Sequence, residues 1–173
     1  MTNLFDVTMY TDGASDPNPG RSGYGAVLLY VLPGGKEHRR EVSGGYRRST
    51  NNRMEMMAAI EGLRALKQPS RVTLYSDSKL LVDGIEEGWA ARWRANGWKR
   101  DKKNTAMNPD LWGQLLEVLE GSPHESTFAW VKGHAGDPGN ERADYLAVSA
   151  LRQPDLPPDP GYEGGAGGQQ MLR

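Results

Sequence analysis

The sequence predicts an α/β domain in which one mixed sheet is covered by helices. Two observations carry this. Three apolar, strand-like segments open the chain with little but turn residues between them. From the middle onward, strand-like segments alternate with segments of helical period, the arrangement that lays crossover helices against a sheet.

The opening strands are Phe5 to Thr11, Tyr24 to Val31 and roughly Glu37 to Tyr46; Pro33-Gly34-Gly35 joins the last two, so the three form an antiparallel meander. From Asn51 to Gln68 the apolar positions Met56, Ala59, Ile60, Leu63 and Leu66 recur at i, i+3, i+4, i+7 and i+10, which predicts a helix with one buried stripe. Next come a short strand from Arg71 to Ser76, a helical region from Ser78 to about Lys99, and a helix near Asp110 to Glu120. A strand from Ser126 to Val131 and a last helix from about Asn140 to Leu151 complete the set. The order is βββαβαααβα, with the first strand and the Arg71 strand expected to be parallel neighbours. After Gln153 the run PDLPPDPGYEGGAGGQQMLR has too few apolar groups to offset the entropy of ordering it. The expected division is one domain over 1–152 and a disordered Pro/Gly-rich tail over 153–173.

Composition bounds the function. At 173 residues, 37% hydrophobic and 25% charged, the chain has room for one core and no need of staples. The absence of cysteine excludes a disulfide framework, a thiolate nucleophile and a zinc–thiolate site. The opening MTNLFDVTMY lacks the basic segment and apolar run of a signal peptide, and no stretch approaches the roughly 20 apolar residues of a membrane span. A cytoplasmic monomer with no membrane partner is the expectation. The net charge of -1 conceals a segregation: from Trp89 to Lys103, Arg92, Arg94, Lys99, Arg100, Lys102 and Lys103 face Asp101 alone, while the acidic candidates lie elsewhere.

Those candidates are Asp12, Glu55, Asp77 and Asp144. Asp12 in YTDG and Asp77 in YSDS each end a predicted strand, where open α/β sheets place their sites. Glu55 lies one turn before Ala59, and Ala58, Ala59 and Gly62 would let its helix approach the sheet closely. Asp144 shares the stripe of Val148 and Leu151 on the last helix, so its carboxylate is not expected to face water. Taken singly, Asp12 before Gly13 also reads as a turn former, Asp77 before Ser78 as a helix cap, and Glu55 as a solvated helix residue; Asp144 could pair with Arg142. Taken together they point at one corner of one sheet. Gathering several carboxylates in a buried site is costly and forces protonation on some of them unless cations are held between them. All-oxygen ligands select a hard ion, Mg²⁺ or Mn²⁺. Two such ions about 3.5 to 4 Å apart can activate a water and stabilise the leaving oxygen of a phosphodiester, so phosphodiester hydrolysis is the inferred reaction.

The blocks YTDGASDPNPGRSGYGAVL, TNNRMEMMAAIEGL, YSDS and WVKGHAGDPGNERADYLA together resemble bacterial type I ribonuclease H, in order and at familiar spacings, from about Val7 to Leu151. The resemblance implies a ribonuclease H-like, five-stranded mixed sheet of order 3-2-1-4-5 with helices on both faces. It also implies an endonuclease that cuts the RNA strand of RNA/DNA hybrids with two Mg²⁺ ions, Mn²⁺ substituting, and leaves 5′-phosphate and 3′-hydroxyl ends. By the same resemblance Asp12, Glu55, Asp77 and Asp144 match the metal-binding quartet, and His134 in KGHAGD matches a mobile histidine that shuttles protons or aids product release. Asn18, Asn51, Asn52 and Asn108 match substrate-contacting amides, and Asn suits the 2′-OH and base edges of an A-like minor groove because it donates and accepts at once. For Asn51 a helix-capping role competes with this. Arg48 and Thr50 resemble positions that hold a DNA-strand phosphate. Trp89, Arg92, Trp93, Arg94, Trp98 and Lys99 match a basic protrusion that grips the DNA strand. The chain departs from the pattern at Ala95 and Asn96, where a basic residue is usual, at Gly88, which looks inserted, and in its tail.

Two other classes share some of these features. A DNA-cutting or strand-transferring nuclease of the same fold would keep the carboxylates but not the RNA-reading asparagines. A non-catalytic hybrid- or double-stranded-RNA-binding module would keep the protrusion but has no need of four acids. A carboxylate-pair glycosidase leaves the Trp/Arg segment unexplained.

Overall fold

The computed structural model describes residues 4–133 and 136–164. Strands β1 (Phe5–Asp16), β2 (Gly20–Val31) and β3 (Glu37–Ser49) lead into helix α1 (Asn51–Arg64); β4 (Ser70–Ser76) is followed by α2 (Lys79–Glu86), α3 (Trp89–Ala95) and α4 (Pro109–Gly121); β5 (Glu125–Trp130) and α5 (Pro138–Leu151) complete the βββαβαααβα order. The sheet order is β3-β2-β1-β4-β5, antiparallel through β3-β2-β1 and parallel through β1-β4-β5. Both the five-stranded mixed sheet and the β1–β4 neighbourhood are as expected. No helix among the described residues is long and apolar enough to cross a membrane.

Several details differ from the sequence reading. β1 does not stop at Thr11 but runs on to Asp16, paired with β2 alone beyond Tyr10. Helix α1 buries nearly its whole circumference from Arg53 to Ile60, not one stripe, because α4 covers the side that the sheet leaves open. The helical region after Ser78 breaks at Gly88, whose φ of 74° is left-handed and ends α2 before α3 begins.

The tail expectation fails for its first half. The segment 153–164 crosses β3 as a strap and ends in a wide helical turn, Pro160–Gly164, with Asp159 and Tyr162 buried. Backbone Arg47 N–H donates to Pro157 O at 2.8 Å, Ser49 Oγ to Asp159 Oδ2 at 2.6 Å, and Arg47 pairs with Glu163. Charge and one aromatic ring supply the ordering that apolar content lacked. Residues 165–173 lie outside the described residues.

Candidate active site

Asp12 and Asp77 are brought side by side by strand register. β1 and β4 are parallel with Tyr10 opposite Tyr75, and the parallel pairing ends there. Two residues further along each strand stand Asp12 and Asp77, just beyond the carboxyl end of the ladder. Asp77 is not a cap: Ser78 caps α2, its Oγ accepting from Leu81 N–H at 3.2 Å, which leaves the Asp77 carboxylate to the site. Nor is Asp12 a turn residue, since it lies within β1 opposite Gly25.

Two helices descend on this point from opposite faces. A Cβ on Gly13 would lie 2.5 Å from the backbone nitrogen of Glu55, so α1 rests directly on the strand and delivers Glu55 beside Asp12. A Cβ on Gly25, the partner of Asp12, would lie 2.7 Å from Ala143 O, so α5 rests equally closely on β2 and delivers Asp144. The stripe of α5 that faces the sheet is Asn140, Ala143, Ala147, Ala150 and Leu151; Asp144 stands at its flank, half-buried, rather than within it. Arg142 is engaged elsewhere, with Glu41 at 2.7 and 2.8 Å, so it does not neutralise Asp144.

Asp12, Glu55 and Asp77 present carboxylate oxygens within 4.8 Å of one another, and Asp144 lines the same cleft together with Gly13, Ala14, Ser15, Asn51, Asn52 and Ser78. Burial drives the Asp12 carboxyl up to about 7; a hydrogen bond with Glu55 and the Gly13 N–H pull it down, and the charges of Asp77 and Asp144 push it up. Glu55 is pushed well above the ordinary range by burial first and then by Asp12 and Asp77. Its Oε2 is buried with no hydrogen-bond partner among the described residues. An orphaned oxygen, mutual repulsion and an all-oxygen donor set are what a hard divalent cation would satisfy, so the residues fit such an ion.

Asp77 is cradled by the end of β5. Val131 N–H donates to Ser76 O at 2.9 Å and Trp130 Nε1–H to Asp77 O at 3.1 Å, while a Cβ on Gly133 would come within 2.8 Å of Asp77 Oδ2. Gly133 is therefore needed for space, a role distinct from the loop flexibility expected of KGHAGD. His134 lies outside the described residues.

Around the cleft, the cap of α1 is Thr50 and not Asn51: Thr50 Oγ1 accepts from Arg53 N–H at 3.2 Å. Asn51 N–H donates to the exposed Asn18 at 3.1 Å, which ties the β1–β2 turn to the helix start and leaves the Asn51 side chain on the cleft wall with the exposed Asn52. Arg48 is exposed beside them. Asn108 is buried, 4% exposed, with its Oδ1 held by Arg53 at 3.2 Å rather than standing free on the surface.

In the protrusion, Trp93 and Trp98 pack against the core, Trp93 edge-on to Trp112 at 5.8 Å and 6.3 Å from Trp89. Arg94 is bidentate to Glu120 at 2.9 and 2.5 Å. Arg92 and Lys99 remain exposed, and an exposed loop between Lys99 and Thr105, pinned by Asp101, adds Arg100, Lys102 and Lys103. His38 stacks on Tyr30, and His124 Nδ1 accepts from Ser70 N–H at 3.0 Å. Sequence reasoning missed Ser15 and Ser78 on the cleft wall and Arg53, Asp110 and Asp159 behind it. Only Arg53, a long charged residue inside the apolar run of α1, carried a signal.

The family model described as RNase H matches residues 5–152. The Ribonuclease H of Desulforamulus reducens is 57% identical over 158 residues, which cover 91% of this chain and 95% of the relative. That of Syntrophus aciditrophicus is 58% identical over 156 residues, covering 90% and 86%. The crystal structure of LC9-RNase H1, a type 1 RNase H, superposes with a TM-score of 0.76 at 33% identity, covering 87% of this chain and 74% of that one.

Proposed function

Given that the chain belongs to the ribonuclease H family in its bacterial type I form, and so is a metal-dependent endoribonuclease, we propose that it hydrolyses the RNA strand of RNA/DNA hybrids at the Asp12–Glu55–Asp77–Asp144 corner. The observation that carries this is the convergence of carboxylates from β1, α1 and the end of β4, with a buried Glu55 oxygen left unpartnered. Asp12, Glu55, Asp77 and Asp144 would hold two Mg²⁺ ions, with Mn²⁺ able to substitute. Bound there, the ions would neutralise the phosphate and activate water for in-line attack, leaving 5′-phosphate and 3′-hydroxyl ends.

The protein's own groups do the rest. Asn51 and Asn52 on the cleft wall, with Asn18 beside them, offer paired donors and acceptors to the 2′-OH and base edges of the RNA strand. Arg48 and Thr50 take a DNA-strand phosphate, Asn108 adds a further amide to the substrate face, and the exposed Arg92 and Lys99, with the half-buried indole of Trp89, grip the DNA strand further along. His134 shuttles protons or aids product release. All four acids come from one chain, so a monomer suffices.

The test is a gel assay of end-labelled RNA/DNA hybrid, with RNA/RNA and DNA/DNA controls, in Mg²⁺ and in EDTA. Cleavage confined to hybrid RNA is expected, lost in EDTA. Asp77→Asn is expected to lower kcat by at least about 10² to 10³, the scale of losing one preorganised electrostatic group. Equal cutting of DNA/DNA would refute the ribose-reading role of the asparagines, and full turnover by Asp77→Asn would refute the site.

A further inference from the structure

The best-connected side chain behind the cleft is one that the reaction does not use. Arg53 is 1% exposed, and a guanidinium so placed must be met on all sides. Asp110, from the first turn of α4, takes Nη1 at 2.9 Å and Nη2 at 2.7 Å. Asp159, from the C-terminal strap, takes Nε at 2.8 Å and Nη2 at 3.1 Å, and is itself fixed by the Ser49 hydroxyl. The remaining contact of Nη1 is with Asn108 Oδ1 at 3.2 Å.

Guanidinium can only donate. Asn108 must therefore turn its carbonyl oxygen inward, and its NH₂ group faces the other way. The backbone N–H of Arg53 meanwhile donates to the Thr50 hydroxyl that caps α1, one turn ahead of Glu55. Arg53 thus fixes the amide of Asn108 from the first turn of the helix that carries Asn51 and Asn52.

We propose that Arg53, clamped between Asp110 and Asp159, is a positioning residue for the nucleic-acid face: it fixes Asn108 with its NH₂ presented to the substrate, and the strap of residues 153–164 belongs to the gripping machinery through Asp159. This rests on the hybrid-binding reading above. Without the Asp159 charge, Arg53 is held by Asp110 alone and shifts toward it; Nη1 no longer fixes Asn108, and the amide is free to turn away from the orientation it presents to the substrate. Such a loss weakens ground state and transition state alike, so KM rises while kcat holds.

The experiment measures KM and kcat on RNA/DNA hybrid for the full chain, Asp159→Asn, Asn108→Ala, the double variant, and Val7→Ala, a core change at the far end of β1. All are assayed well below their unfolding midpoints. Asp159→Asn is expected to raise KM about tenfold, the scale of one lost charge-assisted hydrogen bond, with kcat within about twofold. The double variant is expected to be no worse than the poorer single, because both changes act on one amide. Val7→Ala is expected to lower the midpoint without moving KM. An unchanged KM in Asp159→Asn, or effects that multiply in the double variant, overturns the inference while leaving the hybrid reading intact. A wild type that neither binds nor cuts hybrid overturns both. If Asp159→Asn fails to fold, Ser49→Ala, which removes one donor to Asp159, is expected to raise KM about two- to threefold; an unchanged KM there overturns the inference equally.

Discussion

Asp12, Glu55, Asp77 and Asp144 arrive from separate elements; Glu55 and Asp144 are delivered by helices so close that a Cβ at Gly13 or Gly25 would collide with helix backbone, and a Cβ at Gly133 would crowd the Asp77 carboxylate itself. The stretch Trp89 to Lys103 is continuous in sequence, and many of its contacts are local: Trp93 on Trp89, Arg92 on the Glu87 carbonyl, Asp101 on Asn104. The acidic corner must hold like charges together before any cation arrives, which only a stiff surround can do. The protrusion must meet a phosphate backbone whose position it does not set, and exposed cations on a small local scaffold are enough for that. Rigidity is invested where repulsion has to be resisted.

That contrast predicts that crowding the corner costs more than any single change in the protrusion. Gly133→Ala would put a methyl group 2.8 Å from Asp77 Oδ2. The Asp77 carboxylate has to move, and the Mg²⁺ concentration giving half-maximal activity is expected to rise about tenfold, the low end of what disturbing a ligand's support costs. Calorimetric titration of Mn²⁺ into the protein gives the same quantity without turnover. An unchanged metal affinity would mean that the corner is softer than its packing implies.

The same repulsion gives a pH dependence with a definite sign. With its carboxyl pushed up to about 7, folded, metal-free Asp12 keeps a proton that the unfolded chain has released. Stability therefore falls as pH rises from about 4, the unfolded value, through the folded one, and the full penalty is present above it. His124 pulls the other way: burial lowers its imidazole and its Nδ1 accepts the Ser70 N–H, so its contribution is lost as pH falls from about 6.5. Comparing wild type with Asp12→Asn cancels the histidine. In EDTA, wild type is expected to lose about 5 °C more in Tm than Asp12→Asn between pH 5.5 and 8, the scale that ionising one buried carboxyl implies for a chain of this size. Parallel Tm profiles would show that Asp12 does not carry the charge stress, and Mg²⁺ is expected to flatten the wild-type profile.

The two regions were also unequally legible in the sequence. Each acid sits in a context that chemistry constrains, at a strand end or beside small residues, and the adjacency of β1 and β4 was legible too, though the register that makes Asp12 level with Asp77 is seen only in the structure. The strap was invisible because counting apolar residues misses an ordering force made of charge. The partners of Asp159 are Ser49 and Arg53, 110 and 106 residues away, and nothing local announces them. The burial of α1 on nearly every side was hidden for the same reason, since α4 lies far along the chain. Within the protrusion, a run of Arg and Lys cannot tell a cation that faces solvent from one already paired across to another helix.

Arg94 is the case in point, and its expected effect is the smallest. Its guanidinium forks onto Glu120 at 2.9 and 2.5 Å, so its charge is spent on tying α3 to α4, whereas Lys99 is exposed. A cation that neutralises a phosphate contributes roughly 0.9 to the slope of log affinity against log salt. Measured on RNA/DNA hybrid in EDTA, Lys99→Ala is expected to lower that slope by about this amount and weaken binding severalfold at low salt. Arg94→Ala is expected to leave the slope unchanged and shift the affinity less than about twofold, because an exposed pair contributes little and removing the arginine frees only a solvated glutamate. If Arg94→Ala instead lowers the slope as much as Lys99→Ala, the Glu120 pair opens when hybrid binds, and the protrusion is a rearranging grip rather than a fixed one.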